Sequence, residues 1–132
     1  MSVGLVLVSH SARLAEGLHE LLEQLAQDRV PIALAAGGPD GTLGTNALAI
    51  AEAAGALAGA GEVVVLVDLG SAVLSAEMAL EQLEPALRER VRLADAPFVE
   101  GAVAAVVEAS LGSDAAAVLA AAEAARGQGK LS

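Results

Sequence analysis

The residue types best suited to chemistry gather in a few short segments. One is Ser9-His10-Ser11-Ala12-Arg13, which follows the continuous apolar run Gly4-Leu5-Val6-Leu7-Val8. An imidazole held at one nitrogen by an acceptor leaves the other free as a nucleophile or base. Asp68 is the candidate acceptor: by taking a hydrogen bond from Nδ1–H of His10, it would fix the tautomer and leave Nε2 available. Asp68 follows a second apolar run, Val63-Val64-Val65-Leu66-Val67, and opens the turn Asp68-Leu69-Gly70-Ser71. If a helix starts there, its first N–H groups lack intrahelical acceptors, and a glycine beside them permits close approach of an anion. Gly70 and Ser71 are therefore candidate phosphate ligands. Each part also has a plainer reading: His10 as a loop histidine bonded to backbone, Asp68 as a helix-initiating carboxylate, Ser71 as a helix N-cap. Together, a nucleophilic histidine, an orienting carboxylate and an anion site suit transient phosphorylation of His10.

A third segment, Gly37-Gly38-Pro39-Asp40-Gly41-Thr42-Leu43-Gly44-Thr45, fits neither the P-loop nor the dinucleotide spacing, and no lysine follows Gly44. Thr42 and Thr45 still offer hydroxyls, and Thr45 and Ser11 complete the candidate phosphate neighbours. Arg13 supplies charge or a partner contact, or is simply solvated. The second histidine, His19, falls inside a helical pattern and reads as part of its solvated face.

The elements that must position these residues alternate. Short apolar runs at 4–8, 30–36, 63–67 and 91–94 read as strands. Helical spacing connects them: Leu14, Leu18, Leu21, Leu22 and Leu25 form one stripe, and an Ala-rich segment over 47–59 follows Thr45-Asn46. A helix carrying Val73, Ala76, Leu80, Leu83 and Leu87 comes next, then one marked by Val99, Val103, Val106 and Val107, and an Ala-rich one over 115–125 capped at Ser113-Asp114. The alternation predicts an α/β, doubly wound, mostly parallel four-stranded sheet flanked by helices, with or without an added edge strand. Residues 1–125 read as one domain and 126–132 as a flexible tail. Ligands of such sheets sit at the carboxyl ends of strands where strand order reverses, so His10 and Asp68 face each other if the first and third strands are neighbours.

Composition excludes several classes. Seven basic and seventeen acidic residues give a net charge of −10 and no basic stripe to bind nucleic acid, and Phe98 is the sole aromatic for base stacking. No apolar run reaches the roughly 18 residues that span a bilayer. The start lacks a basic n-region, which predicts no signal peptide and a cytoplasmic protein. Without cysteine there are no disulfides or thiolate metal sites. No cofactor or metal is expected.

The segments Val8-Ser9-His10-Ser11-Ala12-Arg13-Leu14 with Glu16-Gly17, Ala35-Ala36-Gly37, Gly44-Thr45, Asp68-Leu69-Gly70-Ser71-Ala72, Leu74-Ser75-Ala76-Glu77 and Ala96-Pro97-Phe98-Val99-Glu100-Gly101 carry a resemblance across residues 2–125. They resemble the DhaM family, phosphotransferase subunits of phosphoenolpyruvate-dependent dihydroxyacetone kinase, similar in fold to mannose-type IIA domains. The resemblance implies that the phosphocarrier HPr phosphorylates His10 at Nε2. The phosphoryl group then passes to ADP held by the subunit DhaL, which phosphorylates dihydroxyacetone bound to DhaK. Some members carry carrier-like domains after this one; here separate carrier proteins are expected. Asp68 matches the aspartate that mannose-type domains place near their histidine. The apolar final helices suggest a homodimer. Three alternatives are a IIA domain serving a sugar transporter, a cobalt or sirohydrochlorin chelatase, and a non-enzymatic regulatory module. The first is disfavoured by the Asp68–Ala72 and Ala96–Gly101 segments. A chelatase would need further ligands, and His19 lies in the helix after His10.

Overall fold

A computed structural model describes residues 2–131. Four strands, β1 (Val3–Ser9), β2 (Ile32–Ala36), β3 (Glu62–Val67) and β4 (Val91–Leu93), form one parallel sheet in the order β2-β1-β3-β4. The helices are α1 (Ala12–Ala26), α2 (Ala47–Ala58), α3 (Gly70–Glu81), α4 (Pro85–Arg88), α5 (Phe98–Ser110) and α6 (Ala115–Ala124). Among the described residues no fifth strand joins either edge. No described helix is long and apolar enough to cross a membrane.

The continuous apolar runs of β1 and β3 follow from burial on both faces. Strand alternation sends Val3, Leu5, Leu7, Val64 and Leu66 into a core with residues of α1, α5 and α6. Val6, Val8, Val63, Val65 and Val67 enter a second core against α2 and α3. Small residues let the helices approach closely. A Cβ on Gly4 would lie 3.0 Å from Leu57 Cδ1, and one on Gly101 would lie 2.9 Å from Ala96 Cβ.

Three details depart from the expected pattern. The buried stripe of α1 is Ala15, Leu18, Leu22 and Ala26, whereas Leu14, Leu21 and Leu25 are substantially exposed. Alanines take the close-packed positions, so leucine spacing alone misplaces the inward face. The third helix stops at Glu81 instead of running through Leu87. Pro85 has no N–H to continue a helix and forces Glu84 into an extended conformation, so a separate short turn, α4, begins there. Leu83 and Leu87 nevertheless pack against the α2–α3 core. Finally, β2 begins at Ile32, although Val30 is buried beside it.

Beyond α6, Ala125–Gly127 forms a 3-10 turn with Ala125 buried. Arg126 pairs with Asp95 at 2.5 Å, and Lys130 with Glu100 at 2.6 Å. The latter pair holds the Glu100 carboxyl below and the Lys130 ammonium above its usual range.

Candidate active site

The neighbouring parallel strands β1 and β3 end on the same edge of the sheet, where the order turns outward to β2 on one side and β4 on the other. The ladder runs through Val8 and Val67, and the Asp68 N–H still donates to the Val8 carbonyl at 3.0 Å. His10 and Asp68 therefore leave the sheet side by side. This is the switch-point position of a doubly wound sheet.

Asp68 is held from four directions. Its Oδ2 accepts from the His10 backbone N–H at 3.0 Å and from Ser9 Oγ at 3.1 Å. Its Oδ1 lies 3.0 Å from His10 Nδ1 and accepts from the Leu69 N–H at 2.8 Å. Burial pushes the Asp68 carboxyl up. The hydrogen bonds outweigh it, led by the His10 backbone N–H and followed by the His10 ring, Ser9 and Leu69, and hold the group below its usual value. An ionised carboxylate only accepts, so His10 Nδ1 carries a proton, and in the neutral ring Nε2 holds the lone pair. The Asp68 side chain is 7% exposed and that of His10 27%, so the anchor is enclosed while the imidazole reaches solvent.

Nε2 points toward the start of α3, where Ser71 Oγ lies 3.0 Å away. With the proton on Nδ1, the Ser71 hydroxyl donates this bond. Ser71 is not the helix cap: Leu69 holds that position without a side-chain bond, and Gly70 and Ser71 begin the helix. Their N–H groups belong to the first turn, which has no preceding carbonyls within the helix. Both residues are exposed, and apart from the adjoining residues and the helix backbone nothing lies within 4 Å of where a Gly70 Cβ would stand. The arrangement presents a nucleophilic nitrogen to a site able to receive an anion.

A family model described as "PTS system fructose IIA component" (EIIA-man) matches residues 4–119. The chain belongs to the EIIA-man family. Among its relatives is the "PEP-dependent dihydroxyacetone kinase, phosphoryl donor subunit DhaM" of Escherichia coli (strain K12), 50% identical over 115 residues. That match covers 85% of this chain and 24% of the relative, so the chain spans about a quarter of the longer protein. A DhaM described for dihydroxyacetone kinase 2 of Listeria innocua is 42% identical over 117 residues, covering 89% of this chain and 94% of that one. A crystal structure of a protein of unknown function, EF1359, superposes with a TM-score of 0.89 at 34% identity and covers 100% of both chains.

The remaining candidates of this EIIA-man domain have other partners. Ser11 caps α1, its hydroxyl accepting from the Leu14 N–H at 3.3 Å. Thr45 Oγ1 lies 2.7 Å from Ser75 Oγ, which ties the Gly-rich loop to α3. That loop reaches the site through backbone, since the Gly44 N–H donates to the His10 carbonyl at 2.9 Å. Thr42 is turned inward on its own loop, its hydroxyl bonded to the Pro39 carbonyl at 2.7 Å. Arg13 is exposed and forms no ion pair among the described residues. His19 lies 3.0 Å from Glu23 on the same helix, away from His10 in its bonding. Two features carry little signal in the sequence. One is Ser9, the only buried polar residue among those described, whose sole signal is a hydroxyl at the last position of an apolar strand. The other is an open groove of about 280 Å³ between the ends of β3 and β4, lined by Val67, Leu69, Val73, Leu93 and Ala96 among others.

Proposed function

We propose that the chain is a phosphoryl carrier that accepts phosphate on His10 from HPr and delivers it to ADP held by DhaL, in support of dihydroxyacetone phosphorylation on DhaK. The observation that carries this reading is the opposed holding of one imidazole: Asp68 at Nδ1 and the α3 N-terminus at Nε2. The DhaM names of the relatives support the acceptor, and the EIIA-man match supports a phosphotransferase donor.

In the first step the Nε2 lone pair attacks phosphorus in line, forming a new N–P bond as the donor's N–P bond breaks. The ring becomes cationic, and the Asp68 carboxylate balances that charge without taking the Nδ1 proton. The Ser71 hydroxyl leaves the lone pair and turns to a phosphoryl oxygen, joined by the Gly70 and Ser71 N–H groups. Phosphoryl transfer relies on positioning and charge stabilisation more than on acid–base steps, which this small set supplies. In the second step a terminal ADP oxygen attacks phosphorus, the N–P bond breaks, and Nε2 recovers its lone pair. Partial neutralisation suits a carrier, because excessive stabilisation of phosphohistidine would block delivery.

Thr45 and Ser11 are retained as outer phosphate neighbours and Arg13 as a partner contact. The exposed Val99 and Val107 of α5, with Leu111 just after it, give a homodimer an apolar surface to cover. A coupled assay tests the relay. With phosphoenolpyruvate, enzyme I, HPr, DhaL, DhaK and ADP, dihydroxyacetone should be consumed only when the chain is added, and not with His10→Ala. Consumption at the same rate without the chain would remove the proposed role. The family description naming a fructose IIA component favours a second reading, transfer to a sugar transporter. It predicts a phosphorylated chain that discharges to a transporter IIB domain and leaves DhaL·ADP untouched.

A further inference from the structure

Ser9 is fully buried at the end of β1, and both hydrogen-bonding capacities of its hydroxyl are committed. The Ser11 N–H points at Ser9 Oγ at 3.1 Å, and a backbone N–H can only donate. Ser9 Oγ must accept that bond, so its own proton goes to Asp68 Oδ2, 3.1 Å away. The remaining directions are consistent with it, since Asp68 also accepts the backbone N–H groups of His10 and Leu69. Asp68 accepts on both oxygens, His10 donates from Nδ1, and Nε2 accepts from Ser71.

We infer that Ser9 is a positioning residue that orients the Asp68 carboxylate and thereby fixes the reactive tautomer of His10. The inference rests on the carrier reading for its kinetic consequence, but not for its tautomeric one. Ser9 Oγ bonds to neither ring nitrogen of His10, whose partners are Asp68 and Ser71; it acts through Asp68. Its bond to a carboxylate is charge-assisted, and hydrogen-bonded chains of this kind reinforce one another. Without the hydroxyl, Asp68 Oδ2 keeps only the His10 backbone N–H, the Ser11 N–H loses its acceptor, and the carboxylate, left with the backbone N–H groups of His10 and Leu69, is held less firmly toward Nδ1.

The test pairs nitrogen NMR of the His10 ring with the rate of phosphoryl transfer from phosphorylated HPr. In the wild type the ring spectrum should show the Nδ1–H form. In Ser9→Ala it should show a mixture of tautomers, with transfer slower by about tenfold, the size expected for one hydrogen bond to a charged group. Ser9→Thr, which keeps the hydroxyl, should restore both, whereas Ser9→Cys, a weak donor of similar size, should restore neither. If Ser9→Ala does not fold, the Thr and Cys variants decide by the same ordering. A Ser9→Ala ring spectrum identical to wild type overturns the inference even when transfer slows, because the loss would then be structural. Wild-type behaviour of Ser9→Cys overturns it as well. A wild type that takes no phosphate, yet shows the tautomer change in Ser9→Ala, overturns the carrier reading and leaves the role of Ser9 intact.

Discussion

His10 and Asp68 meet twice: the Asp68 carboxylate receives the His10 backbone N–H on Oδ2 and approaches Nδ1 with Oδ1, each at 3.0 Å. The double contact fixes where the histidine stands and how its ring is turned. It exists because β1 and β3 are parallel neighbours that end together, which places position 10 beside position 68 without an intervening loop.

Asp68→Asn tests the electrostatic part of that contact. An amide keeps the shape but carries no charge, and its NH2 group cannot accept from a donor. The variant should fold and lose about 1–3 kcal/mol of stability, with a larger relative loss in transfer rate. Thermal unfolding and rapid-quench transfer measured side by side check the expectation; an unchanged rate removes Asp68 from the mechanism.

The pH dependence has a definite sign. The Asp68 pKa is lowered in the fold, because the hydrogen bonds that favour the charged form exceed the burial that opposes it. A depressed acid contributes stability above its unfolded pKa and loses that contribution as pH falls through its folded value. The stability difference between wild type and Asp68→Asn should therefore be full at neutral pH and shrink below the usual aspartate range. Denaturant titrations across that range provide the check, and a difference that grows on acidification contradicts the assignment.

Ser71→Ala removes an exposed hydroxyl, so stability should change by no more than about 0.5 kcal/mol. Transfer should slow severalfold, since the backbone N–H groups of the same turn remain. Equal losses in stability and rate would mark Ser71 as structural instead.

Thr45→Val deletes the bond to Ser75 that joins the Gly-rich loop to α3. Loss of one neutral hydrogen bond should cost about 1 kcal/mol. Hydrogen exchange should rise at Gly44, whose N–H is bonded to His10. Unaltered exchange there would mean that the Thr45–Ser75 pair does not anchor the loop.

Much of this site was legible from residue order. Continuous apolar runs alternating with helical stripes imply a parallel sheet, and a parallel sheet collects the residues after its strands on one edge. That rule points to His10, Asp68 and Ser71. What it leaves hidden depends on register and rotamer. The role of Ser9 needs its hydroxyl to lie opposite Asp68, a fact of strand pairing that no spacing encodes. Taken alone, Ser71 reads more readily as a helix cap than as an anion ligand, and the direction of its Oγ toward Nε2 separates the two roles. Thr45 reads as a phosphate neighbour, and its bond to Ser75 on α3 is a fact of packing that its spacing does not show. In α1 the leucines are conspicuous, yet Ala15 and Ala26 take the closest packing because their size permits it. The break before Pro85 was visible in the sequence, since proline cannot extend a helix, although the apolar spacing ran straight through it.

Whether His10 carries a phosphoryl group is read by intact mass after incubation with phosphoenolpyruvate, enzyme I and HPr. The mass should rise by one phosphoryl group, removed by brief acid treatment and absent from His10→Ala. No gain in the wild type, or a gain that persists in His10→Ala, would contradict the carrier reading.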